Sequence, residues 1–187
     1  LKYFREYIFV PQKNNNVLIF GTYDIITGRT LSFKDIEEER EAKSAGMFFL
    51  KIKDGKQKSL YYYDFMGFNN IMGAISPSNI STVKMQTDSL QSEHGKQLVS
   101  ASFHLSEPIV FKSTNDIYLF SVEAYRPYYR TETRMDYDFY GRPYPYTYNV
   151  FSGYKFYDVI IAGISPEGKL LWNNDFEIDN ILTYSTR

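Results

Sequence analysis

Short runs of aliphatic and aromatic residues recur along the whole chain, and turn-forming residues separate many of them. The clearest turns are Lys53-Asp54-Gly55-Lys56 and Ser165-Pro166-Glu167-Gly168-Lys169, and each predicts a hairpin between two strands. The runs with the strongest strand signal are 7–10, 17–20, 47–52, 60–63, 98–103, 108–111, 117–122, 159–162 and 170–172. This pattern predicts an all-β fold, and the aromatic content of 18%, mostly Tyr and Phe, favours the same fold.

One stretch, 33–43, has helical features instead. Ser32 is a suitable N-cap, and Asp35 completes a loose capping box before a charged run from Glu37 to Glu41. The stretch has too few apolar residues for a core helix, so we expect it to lie on a surface insertion rather than to bind a partner.

Two parts of the chain resemble each other. Asn16–Thr22 returns as Asp116–Val122, 100 residues later, and Gly46–Phe65 returns as Asp158–Phe176, with Asp-Phe at the end of both copies. Each copy contains a strand, a long excursion, a buried strand, a turn with glycine and an aromatic strand. This is the composition of a β-propeller blade.

We therefore predict one all-β unit over 1–187, with a first blade-like repeat at 14–65, a connecting segment at 66–113 and a second repeat at 114–176. Two blades cannot close a ring that needs about 4 to 8, so we expect a piece of a longer propeller-like protein, or blades supplied by other chains. The start at Leu1, without an initiator Met, favours a trimmed or mature fragment. A two-sheet β-sandwich is the alternative fold.

Each repeat is longer than the roughly 40 to 45 residues of such a blade, which predicts insertions at 24–45 and 125–156. Nine of the 18 tyrosines fall between Tyr125 and Tyr154, together with Arg and Pro. Such a composition suits a recognition loop, because Tyr is large and stiff and Pro restricts the backbone. The predicted binding residues are Glu123, Tyr125, Arg126, Tyr128, Tyr129, Arg130, Tyr140, Arg142, Tyr144 and Tyr146. Alternatively, the insertion folds back as a hairpin that covers the sheet edge.

Composition excludes several other kinds of site and partner. The chain has no cysteine, and neither His94 nor His104 has a second histidine at ligand spacing, so we predict no metal and no cofactor. A net charge of −1 and a pI near 6.2 argue against nucleic acid as a partner. No apolar run approaches the ~20 residues of a spanning helix, so we predict no membrane span in this segment.

Glu123, at the mouth of the second insertion, has two interpretations. It forms an ion pair with Arg126 or Arg130, or it is one of two catalytic carboxylates of a glycosidase, with Asp136 or Asp138 as the second about 5 to 10 Å away. The sequence favours the ion pair, because no motif of a known catalytic site accompanies the glutamate.

Three motifs follow in order in the second half: Glu123-Ala124-Tyr125, Tyr140-Gly141-Arg142-Pro143 and Gly168-Lys169-Leu170-Leu171-Trp172. In this respect the region from Phe103 to Ile181 resembles a family of uncharacterised envelope proteins from Gram-negative bacteria. The resemblance implies an extracytoplasmic location, in the periplasm or on the outer-membrane surface, and a longer parent chain with propeller-like repeats. The family has no assigned activity, so the resemblance implies neither an activity nor catalytic residues for this chain.

The sequence thus predicts a non-catalytic binding or assembly module of the bacterial cell envelope that contacts a protein partner through the Tyr/Arg/Pro-rich loop. The alternative is a carbohydrate-binding or carbohydrate-cleaving propeller that uses Glu123 and the loop tyrosines.

Overall fold

The computed structural model of the chain describes residues 2–25, 43–69, 71 and 103–185. Within these ranges the chain forms ten strands in two antiparallel sheets and one 3-10 turn, Phe65–Gly67, which confirms the all-β prediction. The strand run at 98–103 and the helix at 33–43 lie outside the described residues, apart from Phe103 and Lys43, which belong to strands.

The first sheet, sheet A, has the strand order β1-β2-β4-β5. Its strands are β1 (Lys2–Gln12), β2 (Asn16–Ile25), β4 (Gly46–Lys53) and β5 (Lys56–Asp64). The predicted hairpin at 53–56 is confirmed: Lys53 pairs with Lys56, and the two turn residues both have positive φ, 51° at Asp54 and 71° at Gly55.

The second sheet, sheet B, has the order β10-β9-β8-β6-β3, with β7 also paired to β8. Its strands are β3 (Lys43–Ser44), β6 (Phe103–Leu105), β7 (Ile109–Lys112), β8 (Tyr118–Tyr137), β9 (Pro143–Ile164) and β10 (Leu170–Thr183). The predicted hairpin at 165–169 is confirmed as well, since the Gly168 N–H donates to the Ser165 carbonyl at 2.9 Å.

One residue, Ala45, separates β3 in sheet B from β4 in sheet A. Its N–H donates to the Tyr23 carbonyl at 2.8 Å, and its carbonyl accepts from the Phe65 N–H at 3.1 Å. Ala45 is fully buried, so its backbone groups would remain unsatisfied without these partners. The hydrogen bonds therefore fix the point where the chain passes between the sheets.

The core lies between the two sheets. Phe20 is at its centre, with its ring 5.2 Å from that of Phe49 in its own sheet and 5.3 Å from that of Tyr118 in the facing sheet. The buried residues of this core are Leu18, Phe20, Met47, Phe49, Phe65, Phe68, Ile71, Phe103, Leu105, Tyr118, Phe120, Val122, Ala124, Ile160, Ala162 and Ile164. Two sheets packed through one core form a sandwich-like arrangement, and the described residues do not close a ring.

The two sheets stack in the same strand order. Lys112 of β7 lines an open groove with Val10 and Gln12 of β1, which places β7 opposite β1. In the same groove, Lys51 of β4 donates to the Pro166 carbonyl in the β9–β10 turn at 3.2 Å. The β1–β2, β4–β5, β7–β8 and β9–β10 turns therefore lie at one end of the molecule, and the strands run from there to the other end.

Replacing Phe20 with alanine should lower the free energy of unfolding by about 3–5 kcal/mol, because the ring is fully buried and its loss leaves a cavity between the sheets. Phe139→Ala is the matched control: the same atoms are removed at a position that is 97% exposed, so the expected loss is below about 0.5 kcal/mol. Chemical denaturation of both variants measures the difference. Equal stabilities would contradict the placement of Phe20 in the core.

Candidate binding ribbon

Strands β8 and β9 continue far beyond the body of sheet B. The pairing of β10 with β9 ends at Thr183 opposite Tyr154, and residues 129–137 then pair only with 143–151 in the described chain. Nine paired residues span about 30 Å. The insertion predicted at 125–156 was expected to form a loop, and its residues 126–154 are called the ribbon below. They form a hairpin, which was the alternative prediction. The hairpin projects outward, however, and does not cover a sheet edge among the described residues.

A tight turn closes the ribbon at its tip. The Asp138 carboxylate accepts from the amides of Tyr140 and Arg142 at 2.9 and 2.8 Å, and Gly141 has a φ of 75°, which favours glycine. Asp138 therefore has a structural role here. The turn presents Phe139, 97% exposed, and Tyr140, 77% exposed, with their rings in an edge-to-face pair at 5.6 Å.

The strand period of two divides the ribbon residues between two faces. On one face, charged side chains of β8 lie opposite tyrosines of β9: Tyr148 donates to Glu132 at 3.1 Å, and Tyr146 stacks on Tyr148 at 5.9 Å. The cross-strand pairs on this face are Arg130–Val150, Glu132–Tyr148, Arg134–Tyr146 and Asp136–Tyr144. The other face carries Tyr129 in an edge-to-face pair with Phe151 at 5.7 Å.

A group of aromatic and cationic side chains forms the base of the ribbon. The Tyr125 ring lies 5.6 Å from His104 and 5.3 Å from Tyr154. Two cations lie over tyrosine rings, Arg126 over Tyr157 at 5.8 Å and Lys155 over Tyr128 at 4.0 Å. These contacts anchor the ribbon to sheet B.

The residues predicted to bind therefore fall into separate groups. Three lie at the base (Tyr125, Arg126, Tyr128), two lie at the tip (Tyr140, Arg142), and four lie on the faces, with Tyr129 on one and Arg130, Tyr144 and Tyr146 on the other. At the tip the Arg142 guanidinium lies 5.4 Å from the Tyr140 ring centroid.

Glu123 lies in the body of sheet B and not in the ribbon. Thirteen residues of one strand separate it from Asp136, a distance of about 40 Å, so these carboxylates cannot form the 5 to 10 Å pair of a glycosidase. Asp138 is farther still. The predicted ion pair with Arg130 is also wrong, because Arg130 binds Glu132 at 2.7 Å instead.

The ribbon carries nearly balanced charge. It contains four arginines and three carboxylates in residues 126–154, and on the Tyr146 face they alternate in sign along β8. Such alternation provides no continuous cationic surface for a polyanion.

The structure also reveals a buried acid that the sequence reading missed. Asp158 is fully buried on the core side of β9, and neither carboxyl oxygen has a hydrogen-bond partner of good geometry among the described residues. Burial, and next the negative charge of Asp175, raise the pKa of Asp158 to about 6. The sequence did contain a signal for this burial. Asp158 lies two residues before Ile160 in the same strand, so both side chains point to the core face of β9.

The chain has no match among protein-family models, curated proteins or solved structures. In the part of the chain that the structure describes, no helix is both long and apolar enough to cross a membrane. Within the same ranges, no third ligand joins Asp158 and Asp175 to form a group that could hold a metal ion.

Asp158→Asn should remove a pH-dependent loss of stability. Below the ordinary pKa of 3.8 the acid is protonated in both the folded and unfolded states. Between that pH and about 6 only the unfolded state ionises, and above about 6 the folded state bears the full penalty, up to about 3 kcal/mol.

Denaturation of the wild type and Asp158→Asn at pH 4 and pH 7 tests this expectation. We expect similar stabilities at pH 4 and a more stable variant at pH 7. Asp136→Asn, the same change at an exposed ribbon position, should have little effect at either pH. A variant that is no more stable than the wild type at pH 7 would show that Asp158 carries no burial penalty.

Proposed function

We propose that this chain is a non-catalytic binding or assembly module of the bacterial cell envelope, and that its ribbon contacts a protein partner. The observation that carries the proposal is the tip, where Phe139 and Tyr140 are 97% and 77% exposed at the end of a paired, roughly 30 Å ribbon. Large aromatic side chains at such exposure are typical of interaction surfaces.

The ribbon has the physical properties of a preorganised protein-binding element. Its backbone is already paired from residue 129 to 151, and the Asp138 hydrogen bonds hold the tip, so little conformational entropy is lost on binding. Tyrosine and arginine beside each other are also the residue types that contribute most to protein interfaces. The nearly balanced charge favours a partner of mixed charge over a polyanion.

The envelope location rests on the three motifs that resemble the envelope family. In the structure, Glu123-Ala124-Tyr125 leads into the ribbon base, Tyr140-Gly141-Arg142-Pro143 forms most of the tip turn, and Gly168–Trp172 runs from the β9–β10 turn into β10. Each motif thus lies at a distinct structural feature of sheet B or its ribbon. This is the distribution expected if the three motifs together mark one fold.

For the body of the molecule, we propose that sheets A and B are neighbouring blades of a propeller-like stack. Two observations support this arrangement: the sheets have the same strand order across the core, and their hairpin turns lie at the same end. A twofold axis that runs between the sheets along the strands would reverse the strand order, and one across the strands would place the turns at opposite ends. A smaller rotation, about an axis that is parallel to the strands but lies beside both sheets, preserves the strand order and keeps the turns at the same end.

A second candidate function is carbohydrate binding by the tyrosine row of the ribbon. Tyr144, Tyr146 and Tyr148 share one face, and the last two are stacked at 5.9 Å, so they form a platform that can pack against sugar rings. Arg134 and Asp136 lie opposite and offer hydrogen bonds to hydroxyl groups. Glu123 takes no part because of its distance from this face.

The tip proposal predicts that Phe139→Ser combined with Tyr140→Ser abolishes capture of a partner from envelope extract. Both side chains are exposed, so the fold should be unaffected. Thr147→Ser, an exposed change on the flank of the ribbon, is the control and should retain capture. A stoichiometric partner bound equally by all three proteins would show that the tip is not the contact.

The carbohydrate alternative predicts that Tyr144→Ala with Tyr146→Ala weakens binding to glycans on an array, because the stacking surface is removed. Stacking of this kind is worth roughly 1 kcal/mol for each ring, so the pair should weaken binding by at least about tenfold. The tip variant should still bind. An array on which the wild type binds no glycan would contradict this function and leave the protein-partner proposal unaffected.

A further inference from the structure

We infer that copies of this chain associate head to tail, with the outer face of sheet A in one copy packed on the outer face of sheet B in the next. The result is a closed ring. This inference rests on the proposed propeller-like stacking of the two sheets and is independent of what the ribbon binds.

The outer face of sheet A is largely apolar, with Lys2 over the rings of Tyr23 and Tyr62 and Gln57 opposite Ile52 as polar members. Its residues form a second cluster behind the core, in which Ile19 and Phe48 are buried, and Phe9 next to them is 58% exposed. The members of this face in β1, β2, β4 and β5 are Phe4, Tyr7, Phe9, Val17, Ile19, Tyr23, Phe48, Leu50, Ile52, Leu60 and Tyr62. A sheet with water on one side would alternate apolar and polar residues instead. Among the described residues, sheet A thus has two largely apolar faces and packs against one sheet.

The outer face of sheet B has the same character. Phe111 is 59% exposed, Phe176 is 50% exposed, and the Trp172 ring covers Gly163, where a Cβ would lie 2.4 Å from the indole. The apolar residues of this face are Ile109, Phe111, Leu119, Val159, Ile161, Trp172 and Phe176. Ser121, Glu123 and Asn174 are polar members of the same face.

The contact between the two sheets already joins unlike faces. In sheet A, Tyr23 points outward, and its carbonyl accepts from Ala45 on the β4 side of β2. In sheet B, Glu123 points outward, and its carbonyl accepts from Ser106 on the β6 and β7 side of β8, which corresponds to the β1 side of β2. Equivalent strands therefore turn opposite faces toward the shared core.

An interface between unlike faces can propagate. The outer face of sheet A corresponds to the core face of sheet B, and the outer face of sheet B corresponds to the core face of sheet A. A second copy therefore offers each outer face a surface like the one that the corresponding core face meets within the chain. The contact joins two different surfaces and is heterologous. With two sheets from each copy, a ring of about 4 to 8 blades requires two to four copies.

The available area is sufficient for such a junction. Four strands of about eight residues cover about 500 Å² on each side, or about 1,000 Å² in total. One junction alone is at the low end for a specific interface, but each copy in a closed ring makes two. In the same-order stack, Phe9 of β1 lies opposite Phe111 of β7 in the next copy, so these two exposed rings meet at the junction.

Native mass spectrometry and light scattering of the full chain test the inference. The wild type should form a single species of two to four copies, and Phe9→Lys or Phe111→Lys alone should give monomers. An equal mixture of the two variants should give a 1:1 dimer, because each contributes one intact face. Met135→Lys, at a 56% exposed position on the ribbon, is the control and should leave the ring intact.

Other outcomes would overturn the inference. A monomeric wild type at all concentrations rules out association, and a dimer disrupted by only one of the two lysine variants indicates contact between like faces. The circular dichroism spectrum of each variant must match the wild type and its thermal transition must remain cooperative, although at a lower temperature because association stabilises the wild type, so that loss of the ring is not loss of the fold. Capture by the ribbon tip, measured on the same monomeric variants, reports separately on the proposed protein contact.

Discussion

The packing of sheet A on sheet B through one shared aromatic core is the constraint on which the rest of this structure depends. The aromatic contact of Phe20 with Phe49 and Tyr118 occupies the centre of that junction. Because this contact buries one face of each sheet, it decides which face remains outside. Both outer faces carry exposed aromatic rings, Phe9 in sheet A and Phe111 in sheet B.

The same arrangement gives the molecule two different ends. Hairpin turns close both sheets at one end, with residues such as Asp54, Gly55 and Gly168 in the left-handed conformations that short turns require. At the other end β8 and β9 continue outward as the ribbon. In a ring of copies, all ribbons would project from one side, so a partner with several sites would be bound with avidity as well as affinity.

Local features were predictable because neighbouring residues encode them. The run 17–20 lies in β2, the run 117–122 lies in β8 from Tyr118 onward, and the turns at 53–56 and 165–169 are hairpins, since strand propensity and turn chemistry act over a few residues. The repeat alignment stays a prediction. An offset of 100 residues places Leu18 and Tyr118 in equivalent positions, and both face the core. Such an alignment depends on its exact register, because a slip of one residue reverses every side chain in a strand.

The sequence by itself determined that this protein is all-β, where most of its described strands and turns lie, and that aromatic residues concentrate at 125–154. Only the tertiary structure decided that those residues form an ordered ribbon, that Glu123 lies about 40 Å from Asp136, and that Asp158 is buried with a raised pKa. The physical reason is the range of the interactions involved. Propensity and turns depend on adjacent residues, whereas burial, facing and the distance between carboxylates depend on which strands pair and which sheets pack.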